Sequence, residues 1–321
     1  MTKTSVKEMR RGWTTGACAA AAARSAYTAL IENEFPDPVA ITLPGGQRPS
    51  FALARHTLRN GVAEAAIVKD AGDDPDVTHG ALVVVRVRLL NAGEGVRFRA
   101  GEGIGTVTRE GLELDVGEPA INPAPRRMIV AEVADVAAAH GVSPDLEVEI
   151  AIPGGEQLAQ KTLNGRLGIV DGLSVLGTTG VVIPFSCSAW IHSIHRSIDV
   201  ARAAGIEHAA AVTGSTSELA VKTLYNLPEE ALIDMGDFAG GTLKYIRRHP
   251  IRRLTVAGGF AKLGKLGAGL LDLHSKRGRI DLDWMAGCAA SSGASALLVR
   301  DIREAETAGR ALQIAKVADF P

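Results

Sequence analysis

Hydrophobic and polar positions alternate along this chain in two textures. Up to about residue 170 strand patterns dominate: VAITLP from Pro38 onward, AEAAIVKD, ALVVVRVRL and Leu146 to Ile152. In the third of these, Val83, Val85, Val87 and Leu89 alternate with Val84, Arg86 and Arg88, the period of a strand with one solvated face. Two helices interrupt the strands. The first covers Arg10 to Leu30, with Thr14 or Thr15 as N-cap and Ala19 to Ala23 supplying the highest helix propensity. The second begins at Arg126-Arg127, after Pro119, Pro123 and Pro125 have stiffened its approach, and runs to about His140. The chain then turns to strand, small-residue loop and helix in alternation. Four short apolar runs, Leu173–Leu176, Ala209–Val212, Ala231–Met235 and Leu254–Ala257, each empty into a Gly-, Thr- or Ser-containing loop. Helical patterns follow at Ala189–Ala204, Ser217–Tyr225, Gly241–Arg248 and Asp281–Ala289, with a closing helix at Ile302–Ala318. This alternation predicts an α/β fold with a mainly parallel sheet, and a domain boundary between residues 170 and 171.

Parallel strands release their loops at the carboxyl edge of the sheet, where open α/β folds hold ligands. The candidate cofactor pocket is therefore Gly177, Thr178, Thr179, Thr213, Gly214, Ser215, Glu218, Asp237, Gly258 and Gly259. Glycines let a backbone approach a ligand closely, and free N–H groups at helix starts attract anionic groups. The acidic residues suit a ribose diol. Neither GxGxxG nor GxxxxGK[ST] is present, so among nucleoside cofactors S-adenosylmethionine is less disfavoured than NAD or ATP.

Composition narrows the picture. The 321 residues are 46% hydrophobic and 22% charged, with a net charge of -1, which argues against a nucleic-acid binder. No apolar run reaches membrane-spanning length and the N-terminus lacks a secretory core, so a soluble cytoplasmic protein is expected. Three widely spaced cysteines fit a reducing compartment and exclude a CxxC metal site. The segment Lys69–Gly80 holds four aspartates without the spacing of a calcium loop, and is expected to turn Asp70 and His79 towards a ligand or to be a solvated turn. The start of the Ala-rich helix, at Thr14 and Thr15, suits an anion. Arg126 and Arg127 suit carboxylates, as do Lys262, Lys265 and Lys276 from the basic residues of the second half.

Taken in order, RRGWTTGACAAAAA, VKDAGDDPDVTHG, GEPAINPAPRRMI, LAQKTLNGRLGI, LGTTGVVIP, TGSTSE and GGFAKLGKLGAG with DLHS resemble the cobalt-precorrin-5B C(1)-methyltransferase family. The resemblance spans about Gly12 to Ser275 and departs from the family pattern at Ala17, where Thr or Ser is usual. It implies an α+β domain (residues 1–170) followed by a Rossmann-like α/β domain (residues 171–321). It further implies S-adenosyl-L-methionine-dependent methylation of ring carbon 1 of a cobalt-carrying corrin precursor in the anaerobic route to cobalamin. Cobalt then arrives with the substrate, and no protein metal site, nucleic acid or membrane partner is expected; a homo-oligomer is left open. For such chemistry His274, between Asp272 and Ser275, is the first candidate base and His79 the second. The competing readings are an NAD- or ATP-dependent enzyme using the same pocket, and a non-catalytic tetrapyrrole-binding protein.

Overall fold

The computed structural model describes residues 9–275 and 277–320, folded as two compact units that divide between Ser186 and Cys187. In chain order the first holds β1 (Gly12–Trp13), α1 (Thr15–Glu32), β2 (Val39–Ala40), β3 (Ser50–Phe51), β4 (Arg55–Arg59), β5 (Val62–Val68) and β6 (Leu82–Leu89). It continues with β7 (Val96–Ala100), β8 (Thr106–Val107), α2 (Pro123–His140), β9 (Leu146–Ala151), α3 (Gly155–Ala159), β10 (Ile169–Val170) and β11 (Val181–Val182). The second holds α4 (Cys187–Ala203), β12 (His208–Val212), α5 (Ser215–Tyr225), β13 (Leu232–Asp234), α6 (Ala239–Arg248) and β14 (Arg253–Ala257). Four helices close it: α7 (Phe260–Gly267), α8 (Leu282–Ser291), α9 (Ala296–Arg303) and α10 (Ala308–Val317).

In the first unit α1 lies inside the fold. Thr14 caps it, its hydroxyl accepting from Ala17 N at 3.2 Å, and Ala17 to Ala23 are fully buried. With no side chain larger than methyl over much of its surface, the helix backbone comes close to α2 and to the sheet strands β5 and β6. The sheet order is β4-β5-β6-β9-β7, antiparallel except for the β7–β9 pair. Val83, Val85 and Val87 face the core, as the alternation predicts. Arg86 sits across from Glu64 and Glu149, and Arg88 across from Glu147, so the register itself pairs opposite charges. Leu89 departs from the expected pattern: it lies at the strand end and is exposed.

The second unit is built on a three-stranded parallel sheet in the order β13-β12-β14. Two expectations are corrected here. Leu173–Leu176 forms no strand of this sheet: Leu173 and Val175 make isolated bridges to Ile104 and Ile121, and β11 pairs with β1. Residues 171–186, assigned from sequence to the second domain, are thus tied into the first unit. The closing helix is two helices, α9 and α10, because the chain turns at 304–307 and Thr307 caps a new start. Together with α8 they bury Met285, Ala286, Leu298, Ile302 and Ala308 in a small core of their own.

Candidate functional site

The strand order of the second unit brings the loops after β12, β13 and β14 to one edge of the sheet. From β12 the chain crosses to β13 on one side, and the next strand, β14, lies on the other side of β12, so the order of the strands reverses between β12 and β14. Such a switch point opens a cleft at the carboxyl edge. Thr213 N donates to Ala257 O at 3.1 Å, and a Cβ on Gly258 would lie 2.9 Å from the Thr213 methyl and hydroxyl. The two loops therefore touch only because Gly258 has no side chain. Gly214, at φ +154°, and Gly259 flank this contact at the starts of α5 and α7, and a Cβ on either would meet nothing within 4 Å. The space beyond both helix starts is open.

Lys262, one turn into α7, reaches back across the edge. Its Nζ lies 3.2 Å from Thr213 O and 3.0 Å from Asp237 Oδ1. That oxygen is buried and, at ion-pair distance from the ammonium, still lacks a partner in hydrogen-bonding direction. Asp237 O accepts from Leu273 N at 3.0 Å, which fastens the 271–274 segment beside the 235–238 loop. Buried Lys265 holds the same segment from beneath, with Nζ 3.3 Å from both Leu273 O and His274 O. His274 is exposed there, its N–H donating to Asp272 Oδ1 at 3.1 Å. Glu218 faces its own helix, 3.3 Å from Lys222 Nζ.

The structure thus brings together Thr213, Gly214, Ser215, Asp237, Gly258, Gly259 and Lys262 at one sheet edge, with His274 on the adjoining segment. Three candidates are engaged elsewhere. Lys265 supports backbone carbonyls. Glu218 is paired with Lys222. Arg126 donates to Ile121 O at 2.8 Å and Glu118 Oε2 at 2.6 Å, locking the proline-rich approach to α2. Arg127 is exposed beside it, and Lys276 lies outside the described residues.

Gly177, Thr178 and Thr179 belong to the first unit. The expected four-loop edge is a three-loop edge, because the strand before Gly177 is absent from the parallel sheet. Gly177, at φ +120°, packs on Thr14, a Cβ there falling 2.5 Å from the threonine side chain, and Thr14 N donates to Gly180 O at 2.9 Å. Thr178 and Thr179 are exposed at the tip, and Thr15 is buried in the first turn of α1. On the other side of β1, Gly12 lies against Ala71, where a Cβ would be 2.0 Å from the carbonyl carbon.

The aspartate loop is neutralised from within the protein. Asp70 accepts both guanidinium nitrogens of Arg10, which with the Gly72 N–H lowers its pKa to about 2. Lys69, buried, donates to Asp76 and Thr78 at 2.5 Å each. Burial alone would raise the Asp76 pKa, but Lys69 and Thr78 outweigh it and the net direction is down. His79 accepts from Ala71 N at 3.1 Å through Nδ1, leaving Nε2 to carry the proton in the neutral ring. Beneath, burial pushes the Cys18 thiol up to about 12. Among the described residues no group of three or more His, Cys, Asp or Glu is placed to hold a metal ion, and no helix is long and apolar enough to cross a membrane.

Sequence reasoning passed over Lys69 and Trp190, and read Arg10 only as a neighbour of the α1 start, where the structure makes it the partner of Asp70. Lys69 is the partner of Asp76. Trp190, of α4, lies beside Gly236 in the loop after β13, and its signal was rarity: one of three tryptophans in a chain with 4% aromatics.

A parallel sheet with a glycine-lined switch point, joined to a separate unit of mixed strands, defines a two-unit α/β protein of the class whose ligands bind at the carboxyl ends of the strands. Comparison with known proteins narrows the class. The family model CbiD matches residues 2–184 and the model CbiD, C-terminal domain, residues 272–321. Proteins named cobalt-precorrin-5B C(1)-methyltransferase are similar along the chain. The one from Bradyrhizobium sp. (strain BTAi1 / ATCC BAA-1182) is 62% identical over 98% of this chain and 84% of its own length. That from Paramagnetospirillum magneticum is 60% identical over 96% and 86%, and that from Methylorubrum extorquens 58% over 98% and 87%. Among solved structures, the cobalamin biosynthesis protein cbiD from Archaeoglobus fulgidus is 28% identical, with a TM-score of 0.46 over 84% of this chain and 83% of that one. This chain belongs to the CbiD family.

Proposed function

We propose that this protein methylates ring carbon 1 of cobalt-precorrin-5B, giving cobalt-precorrin-6A in the anaerobic route to cobalamin, with S-adenosyl-L-methionine as methyl donor. The observation that carries the reading is the near end-to-end similarity, 58–62% identity over 96–98% of the chain, to enzymes bearing that name. Enzymes so named need a methyl donor. S-adenosylmethionine as that donor is supported by the second unit: open space at Gly214 and Gly259, and a buried Asp237 oxygen without a hydrogen-bond partner. These features fit a nucleoside bearing an amino-acid tail.

In this reading the N–H groups starting α5 and α7 take the tail carboxylate. Asp237 accepts the ribose diol, exchanging the ammonium of Lys262 for two hydroxyls. Lys262, released, pairs with a peripheral carboxylate of the ring. When bound, the cofactor supplies a methyl group on a positively charged sulfur. The transfer is an in-line displacement, so the chain's own work is alignment and exclusion of water. His274 is the candidate that takes up a proton from the acceptor, with His79 the alternative. Cobalt enters as part of the substrate.

Isothermal calorimetry of the full chain with S-adenosylhomocysteine tests the reading. Micromolar binding, abolished in Gly258→Val and weakened in Asp237→Ala, is the expected result. A wild-type protein that binds no S-adenosylhomocysteine, with or without a cobalt-corrin precursor, overturns the cofactor assignment. Stabilisation by NAD or ATP instead would favour the competing enzyme reading.

A further inference from the structure

We propose that Trp190 is the platform on which the purine ring of the cofactor stacks, so that α4 supplies the adenine subsite and with it the selectivity for a nucleoside-bearing donor. The inference rests on the S-adenosylmethionine reading above and deepens it.

The three tryptophans of the chain are used differently. Trp13 packs edge-on against Phe51 at 5.8 Å between ring centroids, as part of the first core. Trp284 covers a helix, its ring filling the place where a Cβ on Gly267 would stand, 2.6 Å away. Trp190 has no such internal role and is 47% exposed. An indole offers a large apolar face, and leaving about half of it in water forgoes burial that would stabilise the fold. Its position is specific. The Nε1, Cε2 and Cζ2 edge lies 3.4–3.5 Å from where a Cβ on Gly236 would stand, and Gly236 is held at φ +52° immediately before Asp237. Phe238, on the other side of Asp237, is 6.4 Å from the indole between centroids and tilted by 39°.

One short loop therefore carries a carboxylate whose buried oxygen has the Lys262 ammonium at ion-pair distance but no aligned hydrogen-bond donor and, on either side of it, a glycine and a phenyl ring that face one exposed indole. In a nucleoside the purine is attached to the carbon next to the diol. A carboxylate that holds the diol leaves the base within reach of residues one position away, which here means the indole over Gly236. Aromatic faces bind bases by stacking, and the interaction tolerates a neutral ligand.

Fluorescence and calorimetry on the full chain separate the possibilities. Adenosine and S-adenosylhomocysteine are expected to quench tryptophan emission in wild type and in Trp284→Phe, whereas L-homocysteine, which lacks the purine, is not. In Trp190→Phe the quench disappears while the melting temperature is kept. Trp190→Ala should raise the dissociation constant for S-adenosylhomocysteine about tenfold, within the range measured for base–aromatic stacking. Unchanged affinity in Trp190→Ala, with wild type binding normally, overturns the platform and leaves the cofactor reading standing. Quenching of Trp190 by a cobalt corrin but not by adenosine overturns it in favour of the macrocycle. Failure of wild type to bind S-adenosylhomocysteine removes both readings together.

Discussion

In the first unit an alanine helix is enclosed on every side, and charged groups find partners within the fold: Arg10 with Asp70, Lys69 with Asp76, Arg24 with Glu132, Arg86 with Glu64 and Glu149. In the second, a sheet of three strands ends in loops where Gly214 and Gly259 look into empty space, and a lysine stretches between a carbonyl and a carboxylate oxygen lacking a well-aligned donor. Polar groups already satisfied make a scaffold, because rearranging them exposes buried charge. Polar groups left partly satisfied make a place for a ligand, because the ligand supplies what the fold withholds. On the function proposed above, stability rests mainly on residues 9–186 and cofactor affinity on the carboxyl edge in residues 187–320.

The largest expected effect breaks the scaffold. Gly12→Val drives a side chain into the Ala71 backbone, and thermal unfolding should show a loss of about 4 kcal/mol or no folded protein. Lys69→Met follows, at about 3 kcal/mol, because Asp76 keeps its charge in a part-buried site without its cation. The same carboxylates set the acid limit. Asp70 and Asp76 have folded pKa values below the unfolded ones, so the stability they contribute is complete above the ordinary aspartate value of 3.8. It is lost as pH falls towards about 2, the folded value of Asp70. Melting curves from pH 5 to pH 2 should show that decline, and Arg10→Gln should remove part of it.

Changes in the second unit should spare the melt and touch function. His274→Asn is expected to lower kcat about a hundredfold with KM nearly unchanged, as for loss of a general base. Retained kcat would transfer the assignment to His79. Gly258→Ala is the mildest: the new methyl first meets the Thr213 side chain at 2.9 Å, which must shift, so S-adenosylhomocysteine affinity should fall about threefold to tenfold and stability by about 1 kcal/mol. Should this variant instead unfold the protein, the division of labour between the units fails.

Local signals carried far in this chain. The Thr14 cap, the β6 alternation, the proline-stiffened entry to α2 and the strands of the parallel sheet were legible because each depends on residues close in sequence. The α7 helix was not. Its KLGKLG sequence reads as a loop, yet it is helical, since Gly264 and Gly267 let Met285 and Trp284 of α8 press against its backbone. Packing replaces what propensity lacks. The 177–180 loop fails for the complementary reason: it has the small residues of a sheet-edge loop, but the chain before it bonds to Ile104 and Ile121.

The candidate site divides the same way. That glycines follow β12 and β14, and that Asp237 follows β13, is written in the order of residues. Which charges remain available is not. Arg126 and Lys265 look like ligands in sequence and are consumed by nearby carbonyls and by Glu118, while Lys262 reaches the crevice. Trp190 comes to Gly236 across some 46 residues of chain. The sequence by itself determined most of the elements, the α/β class and the family, because caps, periodicity and block order are local or linear properties. The tertiary structure alone decided the strand order, the switch point and the partner of each charge, because those depend on which distant segments come within hydrogen-bonding distance.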